Sequence, residues 1–319
     1  MPDEVKKKRK KWPIVLGIVL GVTVGVPVLF VGGCSIYAFL HANDPAVPSE
    51  YWNANVESAK GTIEKKYSAL GEYESEELLV DSTTESGKHF MAYYPTTEGK
   101  YPLVVMVNGT GVACTRYKDV FKHLASWGFV VVGNDYETSW DGKSSSETLN
   151  WALSYLSNKV DENNIGIMGH SQGGEGVFNA ITQFDNGSKY KTAVSLSPTN
   201  LELAASLKWT YEIGEDKLAY NPSAINIPTS VWAATGAFDS ETVTPLEKLE
   251  EIYEMLSSEE KMMVRRDGVD HGDMLYKVDG YTTAWFMHYL KGEDNSSAFY
   301  GENAEINTNS DFINYRASK

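Results

Sequence analysis

Ser171 lies in Gly169-His170-Ser171-Gln172-Gly173, after the apolar run Ile165-Gly166-Ile167-Met168 and before a helix-like segment from Gly174 to Phe184. A serine between glycines at a strand-to-helix turn is built for nucleophilic attack. Its backbone is held at a strained angle, and a Cβ two residues to either side would collide with the neighbouring strand or helix. The hydroxyl then sits at a helix amino end, where backbone N–H groups can stabilise an oxyanion. A serine hydroxyl is almost fully protonated at neutral pH, so it needs a base, and the base needs an acid to orient it.

The sequence offers six histidines: His41, His89, His123, His170, His271 and His288. His271 is the expected base, because it occupies the polar loop Asp267-Gly268-Val269-Asp270-His271-Gly272-Asp273 after the strand-like Lys261–Arg265. His41 abuts an apolar segment, His89 opens an early strand, and His123 and His288 fall in amphipathic helices. His170 adjoins the nucleophile and cannot easily fold back onto it, so it is expected to shape the pocket. Asp239 is the expected acid, three residues beyond the strand end at Gly236. Asp270 and Asp273 are nearer in sequence, but neighbours on one loop rarely bend into an aligned hydrogen bond. They read as loop solubility, and no further ligand spacing supports a metal there. The chain order Ser171, Asp239, His271 is that of the α/β-hydrolases.

A second oxyanion donor must come from the loop after an earlier strand. Pro102–Val107 is such a strand, followed by Asn108-Gly109-Thr110-Gly111. The expected donors are the backbone N–H groups of Thr110 and Gln172. Asn108-Gly109-Thr110 is also a glycosylation sequon, but a glycan there would block the site. Thr199 and Trp232 join His170 as expected pocket residues, and no cofactor is expected.

From about Tyr101 to Tyr300 the sequence resembles the secreted bacterial cutinase and polyester-hydrolase branch of the α/β-hydrolases, among the dienelactone-hydrolase-like esterases. The resemblance rests on Leu124–Val132, the elbow Gly169–Gly174, Gly236-Ala237-Phe238-Asp239 with Ser240–Pro245, and Tyr281-Thr282-Thr283-Ala284-Trp285. It implies Ser171, Asp239 and His271 as triad and Thr110 and Gln172 as oxyanion donors. Thr199 stands where such cutinases usually carry a Trp, and no Cys after Cys114 can form their carboxy-terminal disulfide. The resemblance therefore implies ester hydrolysis without implying polyester cleavage.

Apolar strand runs alternating with helices predict an α/β fold, with a mainly parallel sheet covered on both faces. Eight strands are expected: Leu78–Val80, Phe90–Tyr94, Leu103–Val107, Val130–Asn134, Ile165–Met168, Ala193–Leu196, Ser230–Ala234 and Met262–Arg265. The catalytic domain is placed at residues 75–319. Residues 41–74 read as a linker and one amphipathic helix, Tyr51–Leu70, so truncation at about Pro48 is expected to remove no core residue. Residues 200–226 read as a covering loop or a small excursion over the site.

Residues 12–40 carry no charged side chain and follow the basic tail 1–11, which contains Lys6–Lys11. About 20 apolar residues span a bilayer, and a basic flank stays in the cytoplasm. The first reading is a single-pass anchor with the catalytic domain outside the cell membrane. A lipoprotein anchored at Cys34 ranks second and a secreted form third. Gly17, Gly21 and Gly25 have the spacing of packed membrane helices and allow self-association. Beyond Leu40 the chain holds 22 basic and 41 acidic residues, a net charge of −19, which argues against nucleic acid as a partner. The expected function is hydrolysis of carboxylic esters of short to medium acyl length through an acyl-enzyme. The alternatives are acyl transfer to a cell-surface alcohol and a non-catalytic binding module on the same fold.

Overall fold

A computed structural model describes residues 44–84, 88–136, 139–207 and 219–319. The basic tail, the apolar run, Gly17, Gly21, Gly25 and Cys34 lie outside the described residues. Among the described residues no helix is long and apolar enough to cross a membrane.

Two helices, α1 (Trp52–Ser58) and α2 (Thr62–Ser68), precede the sheet. The strands are β1 (Ser75–Asp81), β2 (His89–Pro95), β3 (Tyr101–Val107), β4 (Val130–Asn134), β5 (Val160–His170), β6 (Tyr190–Leu196), β7 (Thr229–Ala234), β8 (Lys261–Arg266) and β9 (Phe312–Ser318). Between them run α3 (Lys118–Ser126), α4 (Lys143–Tyr155), α5 (Gln172–Thr182), α6 (Leu201–Ser206), α7 (Leu246–Met255), α8 (Met274–Lys277) and α9 (Asp279–Lys291). The described strands form one sheet in the order β1-β2-β4-β3-β5-β6-β7-β8-β9. From β4 to β8 the pairing is parallel, and β1, β2 and β9 pair antiparallel at the edges. The sheet thus has nine described strands, one more than the eight expected; β9 is the addition.

Strand periodicity divides the core. Val104 and Met106 of β3 pack on one face with Phe121 of α3 and Phe286 of α9. Leu103, Val105 and Val107 point the other way, towards Leu149 of α4 and Val177 of α5. Side chains alternate across a strand, so a strand apolar at every position is buried on both faces. A third cluster joins Phe178 of α5 and Val231 of β7 to Leu249 and Ile252 of α7.

The region before the sheet differs from its expected form. Tyr51–Leu70 is two helices, because the Glu64 carboxylate accepts the N–H groups of Lys60 (2.9 Å) and Gly61 (3.1 Å) and so starts a new helix. The Glu305 carboxylate accepts two further N–H groups of the first turn, those of Ile63 and Glu64, at 2.9 Å. An acid at a helix amino end satisfies N–H groups that the helix itself cannot. The described residues from 44 onward, including those expected as a linker and one helix, fall in the same compact unit as the sheet. Val47 is 3% exposed within the core, and the Ala46 N–H donates to the Arg116 carbonyl at 2.8 Å. Truncation at Pro48 would remove a core residue after all. The lost burial of such an apolar side chain costs about 1.5–3 kcal/mol.

The same region buries an ionisable cluster. Asp279 at the start of α9 accepts from Asn55 Nδ2 at 2.9 Å and lies 3.5 Å from His123 Nδ1, with the Tyr51 hydroxyl and Glu64 also facing it. Burial pushes the Asp279 carboxyl up to about 8 and the His123 imidazole down to about 4. At neutral pH the pair is therefore uncharged. Asp279 holds its proton when folded but loses it near pH 4 when unfolded, so its contribution to stability falls as pH rises from about 4 to 8. In that window wild type should lose up to about 1.4 kcal/mol per pH unit relative to Asp279→Asn. Thermal unfolding of both proteins between pH 5 and 8 checks this, and parallel curves would refute it.

Candidate active site

Every element of the site sits at the carboxyl end of a parallel strand, where open α/β sheets form their crevices. Ser171 follows β5, Asp239 follows β7, His271 follows β8, and the Asn108–Gly111 loop follows β3. Ser171 has φ 59° and ψ −125°, the left-handed backbone expected of the elbow. Its N–H donates to Leu196 O at 2.9 Å, and its carbonyl accepts from the Gly174 N–H at 2.8 Å. A Cβ on Gly169 would stand 2.1 Å from Gly173 O, and one on Gly173 would stand 2.2 Å from Val107 O. Only glycines let strand, turn and helix approach this closely.

Asp239 and His271, 32 residues apart, meet through Oδ1 and Nδ1 at 2.5 Å. The other carboxylate oxygen, Oδ2, accepts from the Ser197 hydroxyl at 2.5 Å and the Ala234 N–H at 2.7 Å. Burial alone would raise the Asp239 carboxyl. The hydrogen bond and charge of His271, with Ser197 and Ala234, outweigh it and hold the group below the ordinary carboxylate range. Asp239 is fully buried, whereas the His271 side chain is 14% exposed and open to a substrate. Asp239 opens a turn of π-helix, Asp239–Val243, a form that concentrates at functional sites.

The family model for chlorophyllases matches residues 63–246, more than half of the chain. The chain belongs to the chlorophyllase family. It is 26% identical over 221 residues to Cutinase 2 of Thermobifida cellulosilytica, covering 65% of this chain and 75% of that protein. Against Cutinase cut1 of Thermobifida fusca the identity is again 26% over 221 residues, spanning 62% of the relative. Chlorophyllase-1, chloroplastic, of Citrus unshiu is 24% identical over 178 residues, half of this chain and 51% of that one. These relatives make the chain an ester hydrolase of the α/β-hydrolase superfamily, with cutinase-like esterases among its kin. The family match includes Ser171 and Asp239 and ends before His271.

His170 is buried, its Nε2 2.8 Å from the His271 carbonyl and its ring centroid 4.5 Å from that of His271. Burial and the neighbouring imidazole push it down to about 3, so it stays neutral and braces the His271 loop. Asp270 and Asp273 close that loop on each other: the Asp270 N–H donates to Asp273 Oδ2 at 3.1 Å and the Asp273 N–H to Asp270 O at 3.0 Å. They are structural rather than merely solvating. Among the described residues no group of acids, histidines and cysteines could hold a metal.

On the oxyanion side, a Cβ on Gly109 would lie 3.5 Å from Ser171 Cβ, so this loop faces the nucleophile. The Gly109 N–H itself donates to the buried Tyr117 hydroxyl at 3.1 Å. Thr110 is the next residue and is exposed, and Gln172 opens α5 beside Ser171. The Asn108 side chain is buried, its Nδ2 donating to Asn134 O at 2.5 Å, which leaves the sequon no acceptor for a glycan.

The pocket expectations divide. Thr199 adjoins the site, its N–H 3.4 Å from Ser171 O and its carbonyl accepting from Tyr220. Trp232 does not line the site. It is fully buried under the sheet, donating to Ser230 Oγ at 2.9 Å with its ring edge-on to Phe312. As an inward position of a central strand it faces the core that α9 covers.

Sequence reasoning missed four residues. Phe238 is 41% exposed and sets its ring edge-on to His271 at 5.1 Å. Glu175, four residues beyond Ser171, is fully buried beside Thr199, and burial raises its carboxyl well above the ordinary range. Arg265 is buried under the acid loop, donating to Ala234 O and to Ser240. Ser197 has φ 42°, a second strained serine at a strand end. The one visible signal for Ser197 was its place in the loop after β6.

Hydrogen bonds to charged groups contribute about 1.5–3 kcal/mol. Ser197→Ala should therefore lower kcat by roughly 10- to 100-fold, with KM little changed. Ser197→Gly, which relieves the backbone but also lacks the hydroxyl, should be equally slow. Steady-state kinetics of the pair test this, and a fully active Gly variant would assign the effect to backbone strain alone.

Proposed function

We propose that this protein is a membrane-anchored extracellular serine esterase acting on carboxylic esters of short to medium acyl length. The observation that carries the reading is the 2.5 Å contact of Asp239 with His271 beside a serine at φ 59°. Ser171 Oγ attacks the ester carbonyl while His271 Nε2 takes its proton. Asp239 stabilises the imidazolium, and the Thr110 and Gln172 N–H groups hold the oxyanion. The alcohol leaves with the proton from His271, passing Phe238. Water activated by the same histidine then releases the acid and restores Ser171. Support for the anchor is the uncharged stretch 12–40 after six basic residues; the alternative tether is a lipid at Cys34. The partner in this reading is a small-molecule or polymeric ester.

The test is a panel of p-nitrophenyl esters of increasing acyl length on the full-length protein in detergent, with fluorophosphonate labelling of the same sample. Turnover of the short and medium esters with labelling at Ser171 is the expected result. Neither turnover nor labelling would overturn the esterase in favour of a binding module. Recovery of a lipidated chain beginning at Cys34 would replace the helical anchor.

A further inference from the structure

We propose that Asn55 and Tyr276 are positioning residues for the base histidine, so that the segment before the sheet takes part in catalysis through the His271 loop. This rests on the esterase reading above.

The contacts form one path. Asn55 Nδ2, in α1, donates to the Tyr276 carbonyl at 2.6 Å and to Asp279 Oδ1 at 2.9 Å. One side chain thereby fixes the end of α8 against the start of α9. Tyr51 adds its ring, 5.5 Å from that of Tyr276. The Tyr276 hydroxyl donates to Asp273 Oδ1 at 2.7 Å. Asp273 Oδ2 accepts the Asp270 N–H, closing the turn that contains His271. His170 braces the same turn from the nucleophile side. The His271 backbone is thus held from two directions, by the elbow and by α1.

The arrangement has a chemical consequence. His271 must keep Nδ1 on Asp239 while Nε2 faces Ser171, and a displacement of about 1 Å in such a constellation can cost 100-fold in rate. The His271 loop follows β8, and its first residues are tied down by the Asp267 N–H donating to Asp311 O at 2.8 Å, the Gly268 N–H to Thr235 Oγ1 at 2.8 Å and the Gly236 N–H to Val269 O at 2.9 Å. Gly268 and Gly272, on either side of His271, have nothing within 4 Å of where a Cβ would stand. Beyond Val269 the turn that carries His271 is closed by Asp270 and Asp273 and held by the Tyr276 hydroxyl on one side and His170 on the other. Asn55 precedes residue 63, where the chlorophyllase-family match begins, and Tyr276 follows its end at 246.

Tyr276→Phe deletes the hydroxyl and keeps the ring against Tyr51; Asn55→Ala deletes the amide. Both are made in the full-length protein and followed by two readouts. The first is kcat and KM for p-nitrophenyl butyrate. The second is the downfield proton NMR signal of His271 Nδ1–H, identified by its loss in His271→Ala, which needs no substrate. We expect roughly a 10-fold fall in kcat with KM unchanged, and a shifted or broadened signal, in each variant. The double variant should be little worse than either alone, because residues on one path are not additive. A folded Tyr276→Phe protein with unchanged kcat and an unmoved signal overturns the proposal. A fall in kcat with an unmoved signal overturns it too. A wild-type protein that turns over no ester, with a signal that still moves in Tyr276→Phe, leaves the positioning intact and defeats the esterase reading instead.

Discussion

Ser171→Ala is expected to lower kcat on the order of 10⁶-fold and to abolish fluorophosphonate labelling, while the protein stays folded. The size of the effect follows from the role. Without Oγ there is no nucleophile, so neither the acyl-enzyme nor the phosphonylated enzyme can form, whatever the oxyanion donors do. Folding survives because alanine keeps the Cβ, and the bonds that hold the elbow are made by the backbone, through Ser171 N–H to Leu196 and Ser171 carbonyl to Gly174. The strained φ of 59° is unchanged by the substitution. Intact-mass analysis after labelling, with an unfolding curve of the same sample, checks both halves. Labelling that persists at another serine would show that the elbow is not the reactive site.

The elbow was legible in the sequence because its constraints are local. Two glycines, a strand before and a helix after, all lie within a few residues of Ser171. The interior strands were equally plain, since a strand buried on both faces is apolar at nearly every position, as in β3. The edge strand β9 was not. Of Phe312–Ser318 only Phe312 is buried, and the polar alternation after it resembles a loop. Trp232 shows the opposite failure. Its type suggested a substrate contact, but the face on which a strand residue lands is set by register with β6 and β8, which no local pattern reveals. The break between α1 and α2 depends on Glu305, more than 240 residues away, as much as on Gly61. Ser197 and Arg265 were hidden for a like reason. Their roles exist only once β6, β7 and β8 lie side by side and bring them under Asp239.

Asp239→Asn should lower kcat by about 10⁴ with KM and stability little changed, and the contacts of this carboxylate say why. Oδ2 accepts from two groups that can only donate here, the Ser197 hydroxyl turned towards it and the Ala234 N–H. An asparagine must therefore put its carbonyl oxygen at that position. Its NH₂ is then forced into the place of Oδ1, 2.5 Å from His271 Nδ1. An amide donor there requires Nδ1 to accept, so the imidazole proton moves to Nε2. An imidazole protonated on Nε2 cannot take the proton of Ser171. The fold has no reason to fail, since every hydrogen bond keeps a partner and only the direction of one is reversed. Asp270→Asn touches loop closure, and Asp273→Asn touches it together with the Tyr276 hydroxyl bond, so both should stay within about 10-fold of wild type. Steady-state rates of the three variants decide the matter. Asp270→Asn as the slowest of them would mean that the acid of this site is not Asp239.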